Sequence, residues 1–147
     1  MTQIHIEKLD PIKLPIVQKL YKQHYPSGKA KSNELIYVSY AEKSMCGVVR
    51  IRPIDSYRLL TGMMVVPEFR HRGVGLTILD YCSQHVLSEG DYCFAYSHLE
   101  DFYTQKSFVT IELDKLPNPL RSLYERYSRS GKQLIPMKFT KSDERDT

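Results

Sequence analysis

The sequence lacks the features that mark an exported, membrane-bound or metal-binding protein. Its three cysteines are odd in number and form no Cys-x-x-Cys pair, so we interpret them as reduced, buried thiols. The first eight residues alternate polar and apolar side chains and have no apolar signal-peptide core. No apolar run approaches the roughly 20 residues that span a bilayer. We therefore predict a cytoplasmic protein that binds no metal and no membrane.

Length and charge narrow the class of protein further. A chain of 147 residues suits one domain. The net charge of +4, from 21 Lys and Arg against 17 Asp and Glu, is small and dispersed along the chain. We therefore predict no nucleic-acid partner, whereas a phosphate-rich small ligand would suit this charge.

Hydrophobic periodicity predicts seven strands and four helices in the order β-α-β-β-β-α-β-α-β-α-β. The predicted strands cover residues 2–8, 35–41, 45–54, 57–66, 92–96, 108–113 and 133–139. The predicted helices begin near residues 11, 73, 98 and 119. Asp10 and Asn118 are the predicted N-caps of the first and last helices, and each is followed by a proline. The last eight residues, 140–147, form a polar tail that we expect to fray.

The segment from residue 65 to 75 carries the clearest chemical signal, and it reads Val-Val-Pro-Glu-Phe-Arg-His-Arg-Gly-Val-Gly. It follows a predicted strand and opens a predicted helix, whose first N–H groups have no intrahelical partner and attract anions. Gly73 and Gly75 let phosphate oxygens approach the backbone, and three neighbouring side chains add positive charge: Arg70, His71 and Arg72. The alternative is that the two glycines only help the helix to pack.

Two other phosphate motifs do not fit this segment. A P-loop requires Gly-Lys-Ser/Thr, but Gly75 is followed by Leu76 and Thr77. The dinucleotide fingerprint requires a third glycine at position 78, which is Ile78.

The segment resembles the signature of the GNAT superfamily of acetyltransferases, Arg/Gln-x-x-Gly-x-Gly/Ala after a strand that ends in Val-x-Pro. Arg70, Gly73 and Gly75 match it, and so does the strand before Pro67. Downstream, residues 102–108 look like the family's Phe-Tyr-x-x-x-Gly-Phe segment, with serine in place of its glycine. The resemblance implies one domain over residues 1–139, an α/β fold with a mixed, mostly antiparallel twisted sheet of about seven strands and about four helices.

The resemblance also implies an activity, the direct transfer of the acetyl group of acetyl-CoA to a primary amine of a small molecule or amino-acid-like acceptor. The strand edge at Met63 and Val65 would pair with the pantetheine arm, and the loop would bind pyrophosphate through Arg70, His71, Arg72, Gly73, Val74 and Gly75. Tyr103 is the candidate proton donor to the leaving thiolate, since phenols ordinarily have a pKa near 10. The general base stays open among His24, Asp55, Glu68, His98 and Glu100.

The candidates for the acceptor site are arginines on two predicted strands and tyrosines beside one loop. Arg50 and Arg52 lie two apart on one predicted strand and therefore on one face, with Arg58 on the next strand. They could hold an acceptor carboxylate, or they could lie over an exposed sheet face. The resemblance makes Tyr21 and Tyr25 candidates for lining the acceptor site. They flank the loop of residues 26–34, where relatives often have a second helix and this sequence predicts none.

Other functions remain open at this point. They are acetylation of a protein lysine or N-terminal amine, and a CoA-binding regulatory module without catalysis. The resemblance also suggests a homodimer in which residues 133–139 pair between chains.

Overall fold

The helices and strands form where the sequence pattern predicts them. The computed structural model describes residues 3–26 and 28–141, so most of the predicted polar tail, residues 142–147, lies outside the described residues. The strands in the described ranges are β1 (Ile4–Lys8), β2 (Leu35–Ala41), β3 (Ser44–Ile54), β4 (Tyr57–Val65), β5 (Tyr92–Tyr96), β6 (Phe108–Thr110) and β7 (Leu134–Phe139). The α-helices there are α1 (Leu14–His24), α2 (Val74–His85), α3 (Glu100–Thr104) and α4 (Asn118–Arg129).

The seven strands form one sheet in the order β1-β2-β3-β4-β5-β7-β6. Four neighbouring pairs are antiparallel: β1 with β2, β2 with β3, β5 with β7, and β6 with β7. β4 and β5 run parallel. The predicted α/β fold with a mixed, mostly antiparallel sheet is therefore confirmed.

The expected pairing between chains concerns β7. β7 lies between β5 and β6 in the sheet, so both of its edges already carry strand partners of its own chain. Pairing of residues 133–139 with a second copy stays a prediction, and it would require a neighbouring strand of the same chain to be displaced.

A proline inside β7 explains why β6 is shorter than predicted. The prediction extended this strand to residue 113, but β6 ends at Thr110. The next N–H, that of Ile111, donates to the carbonyl of Pro136 (3.0 Å). Pro136 has no N–H to donate in return, so the ladder between β6 and β7 stops at this point.

Two of the predicted helix signals were tested by the structure, with different outcomes. The Asp10 carboxylate accepts a hydrogen bond from the N–H of Ile12 (3.2 Å) and caps the 3₁₀ turn that leads into α1, as predicted. Asn118 was expected to cap α4, but it is the first residue of that helix, and no side chain caps the helix start. The N–H of Arg121 donates to the carbonyl of Pro117 (2.9 Å). The helix therefore starts one residue earlier in the sequence than predicted.

The described residues fall into two compact units. The first comprises residues of the ranges 1–52 and 61–81. Its core combines apolar side chains of α1, β2, β3 and β4 with one residue each from three connecting segments: Leu9, Val17, Tyr21, Ala30, Ile36, Val38, Val48, Met64 and Val66.

The second unit comprises residues of the ranges 53–60 and 82–147. Its core contains Leu59, Tyr92, Leu116, Leu120 and Leu123, with Tyr124 and Tyr127 packed against it. The apolar stripe of α4 is therefore part of the core. Within the described ranges, none of the helices has the length and apolarity needed to cross a bilayer.

Candidate functional site

The loop after β4 has the backbone of an anion-binding turn. β4 ends at Val65, a 3₁₀ turn spans Pro67–Phe69, and α2 begins at Val74. Gly73, directly before the helix, has a φ of +79°, a left-handed conformation in which a side chain is strained. A Cβ added to Gly73 would have no neighbouring atom within 4 Å. The turn therefore opens onto free space beside the start of α2.

The hydrogen bonds of α2 leave its first N–H groups without an intrahelical acceptor. The carbonyl of Gly73 accepts from the N–H of Thr77 (3.0 Å) and from its hydroxyl (2.9 Å). The N–H groups of residues 74 to 76 precede that first bond and have no intrahelical acceptor. Since α2 is 12 residues long, its N-terminus also carries a partial positive charge. Phosphate oxygens fit this arrangement.

The three predicted cationic residues all lie on the exposed surface of the loop. The Nε atom of Arg70 donates to the carbonyl of Val65 (2.9 Å), which ties the loop to the end of β4. The guanidinium of Arg72 lies over the ring of Phe69, 5.4 Å from its centroid. His71 adopts a φ of +64°. The structure thus brings Arg70 and Val65, two predicted cofactor residues, into direct contact.

The edge of β4 beyond Leu60 is not used by β5. The parallel ladder joins only Leu59 with Tyr92 and Leu60 with Cys93, although β4 continues to Val65. Within the residues that the structure describes, the stretch 61–65 therefore has no ladder partner in β5. It includes the half-buried Met63 and Val65, both predicted to contact the cofactor.

Tyr103 lies on the short helix α3 and is buried in the second unit. The rings of Phe102 and Phe108 meet it edge-on, with centroid distances of 5.0 and 5.7 Å. Ser107, which stands where the family's segment has glycine, has a φ of +75°. Serine therefore adopts here the left-handed conformation that glycine favours.

A polar cluster is buried in the first unit, formed by Tyr21, Glu34, Arg50 and Gly62. The hydroxyl of Tyr21 donates to the carbonyl of Gly62 (2.6 Å) and accepts from the Nε atom of Arg50 (3.2 Å). Nη1 of Arg50 donates to both carboxylate oxygens of Glu34, each at 2.9 Å, and to the carbonyl of Lys29 (2.6 Å). We call these four residues the buried polar cluster.

Burial and neighbouring charges shift the pKa values of Tyr21 and Arg50 in opposite directions. Burial raises the pKa of Tyr21 to about 12, although Arg50 acts to lower it. Burial lowers the pKa of Arg50, but the neighbouring Tyr21 and Glu34 more than offset this, and the net pKa is raised. Arg50 therefore keeps its charge, compensated by Glu34.

This placement changes the interpretation of the predicted acceptor residues. Arg50 is buried, and its guanidinium forms hydrogen bonds with Tyr21 and Glu34. This does not favour a role in binding an acceptor carboxylate. Arg52 is half-buried on the same strand. Arg58 pairs with Asp91, with Nη2 2.7 Å from Oδ2. Tyr25 follows α1, and its ring meets that of Tyr21 edge-on at 6.3 Å.

The candidate bases are spread over several elements. Asp55 and Glu68 are exposed in turns, and His24 is half-buried at the end of α1. His98 is exposed and stacks on Tyr96. Glu100 accepts a hydrogen bond from the hydroxyl of Thr110. The general base therefore stays unassigned.

Sequence reasoning missed the functional interest of Glu34 and Gly62. Glu34 lies in a polar stretch that indicated only a loop, and its partner Arg50 is distant in the sequence. Gly62 did carry a signal, since an isolated glycine inside a strand often marks a bulge or a close backbone approach. Among the described residues, no group of three or more His, Cys, Asp or Glu side chains could hold a metal ion.

A comparison with protein-family models matches residues 32–127 to the acetyltransferase (GNAT) domain. The matched range includes the loop after β4, Tyr103, and both Glu34 and Arg50. No curated protein sequence matches the chain.

Several solved structures share the fold. N-acetylglutamate synthase from Neisseria gonorrhoeae, in complex with coenzyme A and N-acetyl-glutamate, aligns over 95% of this chain with 14% identity and a TM-score of 0.65. This chain spans only 35% of that protein. PaiA N-acetyltransferase from Thermoplasma acidophilum, in complex with coenzyme A, aligns over 94% of this chain and 99% of its own, with 14% identity and a TM-score of 0.59. A ribosomal-protein alanine N-acetyltransferase from Escherichia coli aligns over 95% and 96%, with 10% identity and a TM-score of 0.62.

Proposed function

This chain belongs to the GNAT acetyltransferase family, and on that premise we propose that it moves the acetyl group of acetyl-CoA directly to a primary amine of a small-molecule or amino-acid-like acceptor. The observation that carries the proposal is the open turn at Gly73, which follows β4 and begins α2. Two of the three solved structures named above contain coenzyme A.

The proposed cofactor site uses backbone groups and countercharge. The N–H groups at the start of α2 would bind the pyrophosphate, and the exposed cations Arg70, His71 and Arg72 would neutralise part of its charge. The free edge of β4 at Met63 and Val65 would pair with the amides of the pantetheine arm. The two-pair ladder between β4 and β5 supports this part of the proposal, because it leaves that edge available.

The proposed reaction is a single acyl transfer. The amine nitrogen attacks the thioester carbonyl, a C–N bond forms, and the C–S bond breaks. The amine gives up one proton to a base or to water, and the departing thiolate takes one proton. Acetyl-CoA supplies the activated acetyl group, and the protein has to orient the two reactants and supply the second proton.

We assign the second proton to the hydroxyl of Tyr103. The edge-on rings of Phe102 and Phe108 restrict the orientation of its ring, and a fixed donor is more effective than a mobile one. The left-handed Ser107 supports the match of this segment to the family pattern.

Calorimetric titration with acetyl-CoA tests the cofactor site. We expect micromolar binding by the wild type and a loss of roughly a hundredfold in Gly73→Asp, since like-charge repulsion costs several kcal/mol and about 1.4 kcal/mol is tenfold. Gly73→Asn is the matched control, because it has the same size and backbone strain without the charge. It should retain most of the affinity.

Either of two results would overturn the assignment of the site. Folded wild-type protein that does not bind acetyl-CoA would remove the proposed function. Equal affinities of the Asp and Asn variants would show that the pyrophosphate does not bind at Gly73.

A further inference from the structure

We propose that Tyr21, Glu34 and Arg50 are positioning residues that hold the cofactor edge of β4 and the segment of residues 28–34 in one common geometry. This inference rests on the proposed function, in which the β4 edge binds the pantetheine arm. It assigns a role to a buried polar cluster that the proposed chemistry does not use.

The first observation is the close fit around Gly62. This residue lies inside β4 with a φ of +68°, directly before the proposed cofactor residue Met63. A Cβ added to Gly62 would lie 2.5 Å from Nε and 2.7 Å from Nη2 of Arg50, and 2.8 Å from the hydroxyl of Tyr21. The backbone of β4 thus lies directly against the two side chains, and the Tyr21 hydroxyl holds its carbonyl at 2.6 Å. These contacts determine how β4 turns as it enters the stretch 63–65.

The second observation is that the same side chains hold the segment of residues 28–34, which has no helix of its own. Nη1 of Arg50 donates to the carbonyl of Lys29 and to the carboxylate of Glu34. Glu34 in turn accepts from the N–H of Lys31 (2.7 Å). The carbonyl of Ala30 accepts from Gln18 of α1 (3.4 Å). The backbone of this segment is therefore held by Arg50 directly at Lys29 and through Glu34 at Lys31, and by α1 at Ala30.

The third observation is that the cluster is closed to water. The side chains of Arg50 and Glu34 are 7% and 1% exposed, and Tyr21 is 1% exposed. Among the described residues, no buried side-chain nitrogen or oxygen lacks a hydrogen-bond partner. Loss of one member leaves a buried partner unsatisfied, so a disturbance on the 28–34 side reaches Gly62 through Arg50 and Tyr21.

Tyr21→Phe is the variant that tests this coupling with the least disturbance of packing. It removes the hydroxyl that donates to Gly62 and accepts from Arg50. Tyr124→Phe is the matched control, since the Tyr124 hydroxyl also donates to a backbone carbonyl, that of Leu134 (2.7 Å), but lies in the second unit. Glu34→Gln perturbs the same cluster from the 28–34 side. Each variant is measured by amide hydrogen exchange without ligand and by calorimetric titration with acetyl-CoA.

We expect Tyr21→Phe to speed exchange by about tenfold in both stretches, 28–34 and 61–65, because loss of one hydrogen bond changes an opening equilibrium by about that factor. Glu34→Gln also leaves the buried charge of Arg50 uncompensated, so it should speed exchange in both stretches by about a hundredfold or more. Acetyl-CoA binding should weaken by a similar factor in each variant. Tyr124→Phe should change neither. Faster exchange in only one stretch, or unchanged acetyl-CoA affinity in Tyr21→Phe, would overturn the proposal. If the wild type binds no acetyl-CoA, the proposed function fails and so does the cofactor part of this inference, while the exchange data still decide whether the two stretches are coupled.

Discussion

Replacing Glu34 by glutamine removes the charge that compensates the buried guanidinium of Arg50. Both Glu34 oxygens lie 2.9 Å from Nη1 of Arg50, and the two side chains are almost fully buried. Loss of one partner of a buried pair costs about 3–5 kcal/mol, because the other charge stays buried without compensation. Domains are stable by about 5–15 kcal/mol, so this variant loses a large share of its stability.

The assay is thermal unfolding followed by circular dichroism, with Glu125→Gln as the control. Glu125 forms an ion pair with Arg121 one helical turn away (3.4 Å), with both side chains about half exposed, and such pairs contribute at most about 0.5 kcal/mol. For a chain of this size, about 2–4 °C per kcal/mol gives a Tm loss of roughly 6–20 °C for Glu34→Gln. For Glu125→Gln we expect a loss of about 2 °C or less.

The double variant Glu34→Gln/Arg50→Met separates the charge from the packing. It leaves no buried charge without compensation, so it should be more stable than Glu34→Gln alone. Two results would refute the reasoning. One is that Glu34→Gln is no more destabilising than Glu125→Gln. The other is that Arg50→Met destabilises the Glu34→Gln variant by as much as it destabilises the wild type.

Three further predictions concern other groups. Tyr103→Phe should lower kcat by about 10²-fold or more with an unchanged dissociation constant for acetyl-CoA, measured by steady-state kinetics and calorimetry; equal loss of binding would argue for a packing role only. Burial raises the pKa of Tyr21 to about 12, so the folded state keeps a proton that the unfolded state loses above pH about 10. The free energy of unfolding should therefore fall as the pH rises from about 10 to about 12. Urea unfolding across this range should show a smaller fall in Tyr21→Phe, and an identical fall would contradict the assignment. Burial raises the pKa of Cys82 to about 12 and raises that of Cys93 as well. Both thiols should therefore react with a disulfide reagent more than about a hundredfold slower in the native protein than in urea. Rapid labelling of either residue in the native protein would contradict their burial.

The sequence predicted the parts of the fold and site that depend on local pattern. The periodicity of α2 and the strand before it indicated the helix start at Gly73, because glycine conformation and helix ends are determined within a few residues. The Asp10 cap was predicted for the same reason. The candidate cofactor loop therefore lies where the sequence analysis expected it.

Features that depend on distant partners were not predictable in this way. The spacing of Arg50 and Arg52 indicates a shared face of β3, but not that Glu34 and Tyr21 bury the Arg50 guanidinium. Chain order likewise does not determine strand order, so the interior position of β7 could not be inferred. The early end of β6 depends on Pro136 of a neighbouring strand. The hydrophobic pattern of β6 alone contains no information about that partner.

Acetyl transfer itself tests the central proposal most directly. The wild type is incubated with isotope-labelled acetyl-CoA and a panel of small amines, amino acids and lysine-containing peptides, and both the labelled amide and free coenzyme A are measured by mass spectrometry. We predict that wild-type protein acetylates at least one small amine with equal release of coenzyme A, and that Gly73→Asp and Tyr103→Phe lose most of this activity while Gly73→Asn keeps it. Folded wild-type protein that acetylates no amine above background, or a Gly73→Asp variant as active as wild type, would contradict the account.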